Sequence, residues 1–241
     1  MPDLDGDGGF LKVHQLSDYL VGLGKPSDDI DNTFTGRLLL LLESQAIFGE
    51  KVYDRVLEEC VDRYWIDYTD HSDSFIPAFL INDILRFWRT LCVSYEAGTT
   101  QDPVKRRAKN YKLKFSRLLT CYSAILAIQA EFSTVGTISS KKALEVLKMT
   151  PNERLEYSRK LVLPQRKKII DELTGMYEGF LLETDCSKSD LMEKMKDPSY
   201  YKKSLEGARK YGDSMFELLQ GISEDQKGNL PNWRFFRYIT V

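Results

Sequence analysis

The chain has 241 residues, of which 42% are apolar and 29% charged, and its net charge is −2. That balance excludes a disordered or collagen-like chain, and the length suffices for one large domain or two small ones around a proper core. Near-neutrality provides no global attraction to polyanions, and a count of two histidines, His14 and His71, excludes most histidine-based metal and hydrolase chemistries.

Helical periodicity runs through the chain. Residues 10–23 carry Leu11, Leu16, Leu20 and Leu23 and are closed by Gly24-Lys25-Pro26. A second helix is predicted from Ser27 or Asp28 to Ser44, its early acids suiting the positive end of the helix dipole. Its five leucines, Leu38 to Leu42, face every direction, so this segment is expected to be buried all round. Residues 50–66 read as an amphipathic helix, 67–74 as a polar loop and 76–96 as a strongly apolar helix. Residues 97–109 read as a loop, and a long helix follows over about 109–130. Residues 132–140 break the pattern and mark an internal boundary between units 1–135 and 136–241.

Thr150-Pro151-Asn152-Glu153 is a capping box with proline at the first helical position. Further helices are predicted at about 141–148, 151–161, 164–183 and 198–220. The aromatic tail, Trp233 to Tyr238, is expected to dock on the body. With no β alternation, the expectation is an all-α bundle of about eight to eleven helices, forming one body or two closely packed helical lobes.

The four cysteines lie at least 29 residues apart, so no C-x-x-C pair or dense disulfide framework is present. Cys60, Cys92 and Cys121 fall in apolar helical patterns and read as small buried thiols. Met1-Pro2-Asp3-Leu4-Asp5 has neither a basic nor an apolar leader region. No unbroken apolar run approaches the roughly 20 residues of a membrane span. A reduced, cytoplasmic location without membrane contact is expected.

Asp3-Leu4-Asp5-Gly6-Asp7-Gly8 copies the first half of a calcium loop, but its twelfth position is His14 where a bidentate carboxylate is needed. The phosphate-loop, nucleophile-elbow and H-E-x-x-H motifs are absent. Arg63 and His71 are too far apart in sequence for the compact arginine–histidine pair of helical ribonucleases. No catalytic residue and no metal ligand is assigned.

Polar residues embedded in apolar helices are more informative. Asn82, Arg86 and Arg89 follow i, i+4, i+7 spacing and share one helix face, with Asp83 beside Arg86. Half-buried arginines need anions. Asp83, Glu96 or Glu43 could supply them internally, and a phosphate externally. Charge is also segregated: residues 27–73 hold twelve acids and four Lys or Arg, whereas 103–117 hold seven cations and no acid. The cationic run, with Tyr111 and Phe115 interleaved, suits phosphates or nucleic acid, or pairs with the acidic segment within the chain or between subunits.

Three blocks carry a resemblance: Gly36-Arg37-Leu38-Leu39-Leu40-Leu41-Leu42-Glu43-Ser44, then residues 79–96 from Phe79 to Glu96, then Lys112-Leu113-Lys114-Phe115-Ser116-Arg117. In this order they resemble the helical C-terminal part of bacterial polymerase-β-type nucleotidyltransferase-domain proteins, over roughly residues 10–130. The resemblance implies a helical module that normally follows a catalytic α/β domain bearing a Gly-Ser turn and a magnesium-holding Asp-x-Asp pair. Asp3-x-Asp5-x-Asp7 lacks that setting, so the resemblance implies the non-catalytic half, with magnesium only where a catalytic domain is supplied elsewhere. By this analogy Arg86, Arg89, Lys112, Lys114 and Arg117 hold phosphate, and Arg37, Glu43, Asn82, Asp83 and Glu96 orient them.

The expected function is therefore a non-catalytic accessory module that binds a nucleotide or nucleic-acid phosphate without a cofactor of its own. A catalytic nucleotidyltransferase domain is the expected partner. The alternatives are an interaction or homodimerisation module that pairs acidic and basic surfaces, and a helical ribonuclease.

Overall fold

The computed structural model describes residues 14–25, 27–30, 32–97, 102–225 and 233–240. The fold is all-α, with no strand among these residues. In chain order the helices are α1 (Leu16–Val21), α2 (Ser27–Ile30), α3 (Thr33–Glu43), α4 (Glu50–Asp62), α5 (Ala78–Ala97) and α6 (Pro103–Lys112). A π-helical turn, Leu113–Arg117, joins α6 to α7 (Leu118–Val135). Then come α8 (Ser140–Leu147), α9 (Pro151–Leu161), α10 (Pro164–Thr184), α11 (Lys188–Lys196), α12 (Pro198–Glu224) and α13 (Trp233–Thr240).

Helix starts follow local chemistry. Asp102 accepts a hydrogen bond from the Val104 amide at 2.7 Å, and Pro103 occupies the first turn. This cap starts α6 six residues before the expected end of the loop, so the cationic run is helical throughout. The Thr150–Glu153 capping box forms as expected: the Thr150 amide donates to Glu153 at 2.7 Å, and the Glu153 amide to the Thr150 hydroxyl at 3.3 Å. The helix expected over 27–44 is split, because Asn32 takes a left-handed conformation (φ 59°) between α2 and α3. Helix α11, which the sequence reading leaves out, starts at Ser187, whose hydroxyl accepts from the Asp190 amide. The break expected at 132–140 is shorter: α7 runs to Val135 and stops at Gly136, whose φ of 83° suits glycine.

Helix α7 is the axis of the bundle. It is enclosed by α9, α12, α5 and α8, with α9 making its most extensive contact. Leu119, Ala124, Ile125, Leu126, Ala127 and Ile128 are all fully buried. The continuous stretch Pro103–Val135 is long and apolar enough to cross a membrane, but 72% of its apolar window is buried within the protein. One cluster of buried side chains includes residues from both sides of position 135.

In the leucine run, Leu38, Leu41 and Leu42 are buried while Leu39 and Leu40 are half-buried, so α3 is covered on one side rather than all round. Cys60 and Cys121 are buried thiols as expected, but Cys92 is only half-buried because α5 is open on that side. The tail docks: Phe235 is fully buried with its ring 5.5 Å from that of Phe132. Burial of one such ring is worth about 1.5–3 kcal/mol.

Candidate functional site

Polar side chains of α2, α3 and α5, with Tyr64 just after α4 and the Tyr19 carbonyl of α1, converge on a buried ion cluster. The Arg37 and Asp28 side chains are both fully buried, and the guanidinium binds the carboxylate in fork geometry, with Nη1 at 3.0 Å from Oδ1 and Nη2 on Oδ2. Arg37 Nε donates to the Tyr64 hydroxyl at 3.0 Å, and that hydroxyl donates to Asp83 at 2.7 Å. Arg37 also reaches the Tyr19 carbonyl, and Thr33 donates to Asp28 at 2.7 Å. Arg86 closes the cluster, 3.9 Å from Asp83 and 4.0 Å from Asp28, with its guanidinium 3.6 Å over the Phe34 ring.

Two arginines thus face two aspartates. Burial acts to lower the Arg37 pKa, but the bond to Asp28 and the Tyr64 oxygen outweigh it and hold the guanidinium above its ordinary value. Burial and neighbouring Asp83 push the Tyr64 phenol up. Burial also raises the Asp83 carboxyl, against the hydrogen bond from Tyr64 and the pull of Arg86 and Arg37. This network ties α1, α2, α3 and α5 to the end of α4. Asp83 is an internal partner of Arg86, as its i+3 spacing suggests; Asp28 is a second one that the sequence reading places only at a helix start.

The residues expected to hold phosphate do not share one site. Arg86 faces the buried aspartates, and Arg117 is paired with Glu43 across the α3–π-turn contact. Glu96 is paired with Arg106 at 3.0 Å. Lys114 lines a cleft of about 670 Å³ with Cys92, Tyr95 and Tyr201. Arg89 and Asn82 are exposed on the surface of α5.

Lys112 lies elsewhere, on a lysine row. Lys105, Lys109 and Lys112 occupy one face of α6 and are exposed. With Lys188 at the start of α11 they line a cleft of about 750 Å³, floored by Ala108, Leu191 and Met192. Among the described residues its one carboxylate is Asp102, which caps α6. The neighbouring Arg107 faces away, donating to the Met195 and Lys196 carbonyls at the end of α11 and lying 5.1 Å from the Tyr201 ring. Arg107 thereby ties α11 to α6.

One buried cation escapes the sequence reading. Arg154 is fully buried and makes no ion pair with a carboxylate among the described residues. It donates to the carbonyls of Val146 (3.2 Å), Leu147 (2.7 Å), Leu42 (3.2 Å) and Thr120 (3.2 Å). Burial lowers its pKa to about 10. The carbonyls at the ends of α3 and α8 carry the negative ends of two helix dipoles, which explains how a charge is held there without an anion. Its sequence signal was slight: a single arginine in the first turn of α9, beside the capping box.

The calcium-like segment Asp3–Gly8 lies outside the described residues. Among those described, no group of three or more His, Cys, Asp or Glu side chains could hold a metal ion. Arg63 and His71, distant in sequence, line a common pocket at the N-terminal end of α5. Comparison with known protein families, curated proteins and solved structures finds no match to this chain.

Proposed function

We propose that the chain is a non-catalytic helical module, cytoplasmic in location, that binds the phosphates of a nucleotide or nucleic acid. In this reading it serves a nucleotidyltransferase-type catalytic domain. The observation that carries the reading is the lysine cleft: Lys105, Lys109, Lys112 and Lys188 line one groove, where the one carboxylate among the described lining residues, Asp102, caps α6. Lysines on a helical face suit the sequence-independent contact of a phosphate backbone, in which each neutralised phosphate releases condensed counterions. Arg86 and Arg117, each facing internal carboxylates, serve the fold in this reading.

Fluorescence anisotropy with single-stranded RNA and DNA at about 50 and about 200 mM salt tests it. Affinity is expected to fall with salt, and the Lys105→Glu/Lys109→Glu/Lys112→Glu variant to lose about 2 from the slope of log K against log salt. Salt-independent binding, or an unchanged slope in the variant, overturns the reading.

A second reading, an interaction module, draws on Ile47 and Phe48, which stand fully exposed at the turn between α3 and α4. Self-association at high concentration that is lost in Ile47→Ser/Phe48→Ser, followed by sedimentation, would favour it; a strict monomer would remove its homodimer form.

A further inference from the structure

A second pocket, of about 720 Å³, lies at the N-terminal end of α5, closed on one side by α13 and on the other by the turn after α1. Its polar wall is built from arginines rather than lysines: Arg63 follows α4, and Arg234 and Arg237 come from α13. Arg63 and Arg234 are exposed and make no ion pair with any described residue. Among the described residues the one carboxylate lining the pocket is Asp67. Three guanidinium groups, drawn from two segments more than 160 residues apart in sequence, are therefore brought to one cavity by the docking of α13 through Phe235.

The other wall is aromatic. Phe79 and Tyr238 line the same cavity and are 67% and 44% exposed, which leaves large ring surface open at its mouth. The volume lies within the range of small-ligand sites, and an apolar wall with a few convergent polar groups is their usual composition. Arginine forks match phosphate oxygens in pairs and also stack on planar rings, which a lysine row does not do.

We infer that this pocket binds a nucleoside diphosphate or a close analogue, with its phosphates against Arg63, Arg234 and Arg237 and its planar base against Phe79 and Tyr238. Asp67, with His71 and Ser74 on the same lining, is placed to take a donor from the sugar or base. The site deepens the phosphate-binding reading by naming a small ligand, yet it is separate from the lysine cleft. Helix α6 meets α5 near Glu96, roughly 27 Å along the α5 axis from Ala78 at a rise of about 1.5 Å per residue.

Calorimetric titration of the full chain with ADP, adenosine and pyrophosphate tests the inference. ADP is expected to bind with a Kd on the order of 10–100 µM, and adenosine and pyrophosphate each about tenfold or more weakly, because each fills one wall. Arg63→Ala/Arg234→Ala should weaken ADP at least about tenfold, and Phe79→Ser should erase the advantage of ADP over pyrophosphate. These side chains are exposed, so circular dichroism should match the parent. No saturable binding of ADP up to about 1 mM, or equal affinity in the arginine variant, overturns the assignment. The lysine-row variant is expected to bind ADP like the parent; loss of ADP there would move the ligand to the other cleft and overturn it too.

Discussion

Arg37 and Arg154 are both arginines at 0% exposure, and they are held by opposite means. Arg37 is neutralised by Asp28 and supplied with acceptors by Tyr64 and Tyr19. Arg154 donates to four carbonyl oxygens. Removing one member of a buried pair strands the other as an uncompensated charge, which costs about 3–5 kcal/mol, whereas replacing both by apolar groups costs far less. Arg37→Met is therefore expected to lower unfolding stability by about 3–5 kcal/mol, and Arg37→Met/Asp28→Leu to recover much of it, read from urea denaturation of the two variants. The sequence makes the need for a partner legible at Arg86, since Asp83 lies three residues away on the same face. It leaves Asp28 unread, because that partner comes from across the α2–α3 break.

At the scale of the element, helix starts are the most legible feature. Thr150-Pro151-Asn152-Glu153 encodes its own hydrogen bonds, and they form as the spacing requires. Thr150→Ala is expected to cost about 1 kcal/mol, lowering Tm by about 2–4 °C for a chain of this size, as a thermal melt would show. The Asp102-Pro103 start of α6 carries the same kind of signal, masked by the polar residues that follow it.

The π-helical turn is different. The Leu118 amide reaches back to the Leu113 carbonyl, five residues away, and the extra residue rotates the helix between its lysine face and its buried half. That rotation places Phe115 in a stack 4.7 Å from both Phe180 and Tyr211. The stacking partners come from α10 and α12, so no local pattern announces the turn.

For the whole molecule, the buried acids set a limit at high pH. Burial raises the Cys60 thiol to about 11, the Cys121 thiol to about 12 and the Tyr157 phenol to about 12, and it raises Tyr64, Tyr111 and Tyr211 as well. In the unfolded chain these groups return to about 9 for thiols and 10 for phenols. A folded pKa raised above the unfolded one stabilises the fold below the unfolded value, and that contribution is lost as pH rises through the folded one. Unfolding free energy is expected to hold to about pH 9 and then to fall continuously toward pH 12. Urea midpoints measured across that range check the expectation; a flat profile would contradict it.

The sequence by itself determined the all-α class, most helix positions, the capping box and the docking of the aromatic tail. Each depends on residues within a turn or two of one another, or on an apolar stripe that must find cover. Only the tertiary structure decided which charges meet one another. Pairing with Asp28 buries Arg37 away from any outside partner, while Arg117 and Arg106, which look alike to it in the sequence, stay half-exposed beside Glu43 and Glu96. The same folding collects Lys188 with the α6 lysines, and Arg63 with two arginines of α13. Electrostatic partnership depends on distance in space, and a near-neutral chain states how many charges it holds without stating which of them meet.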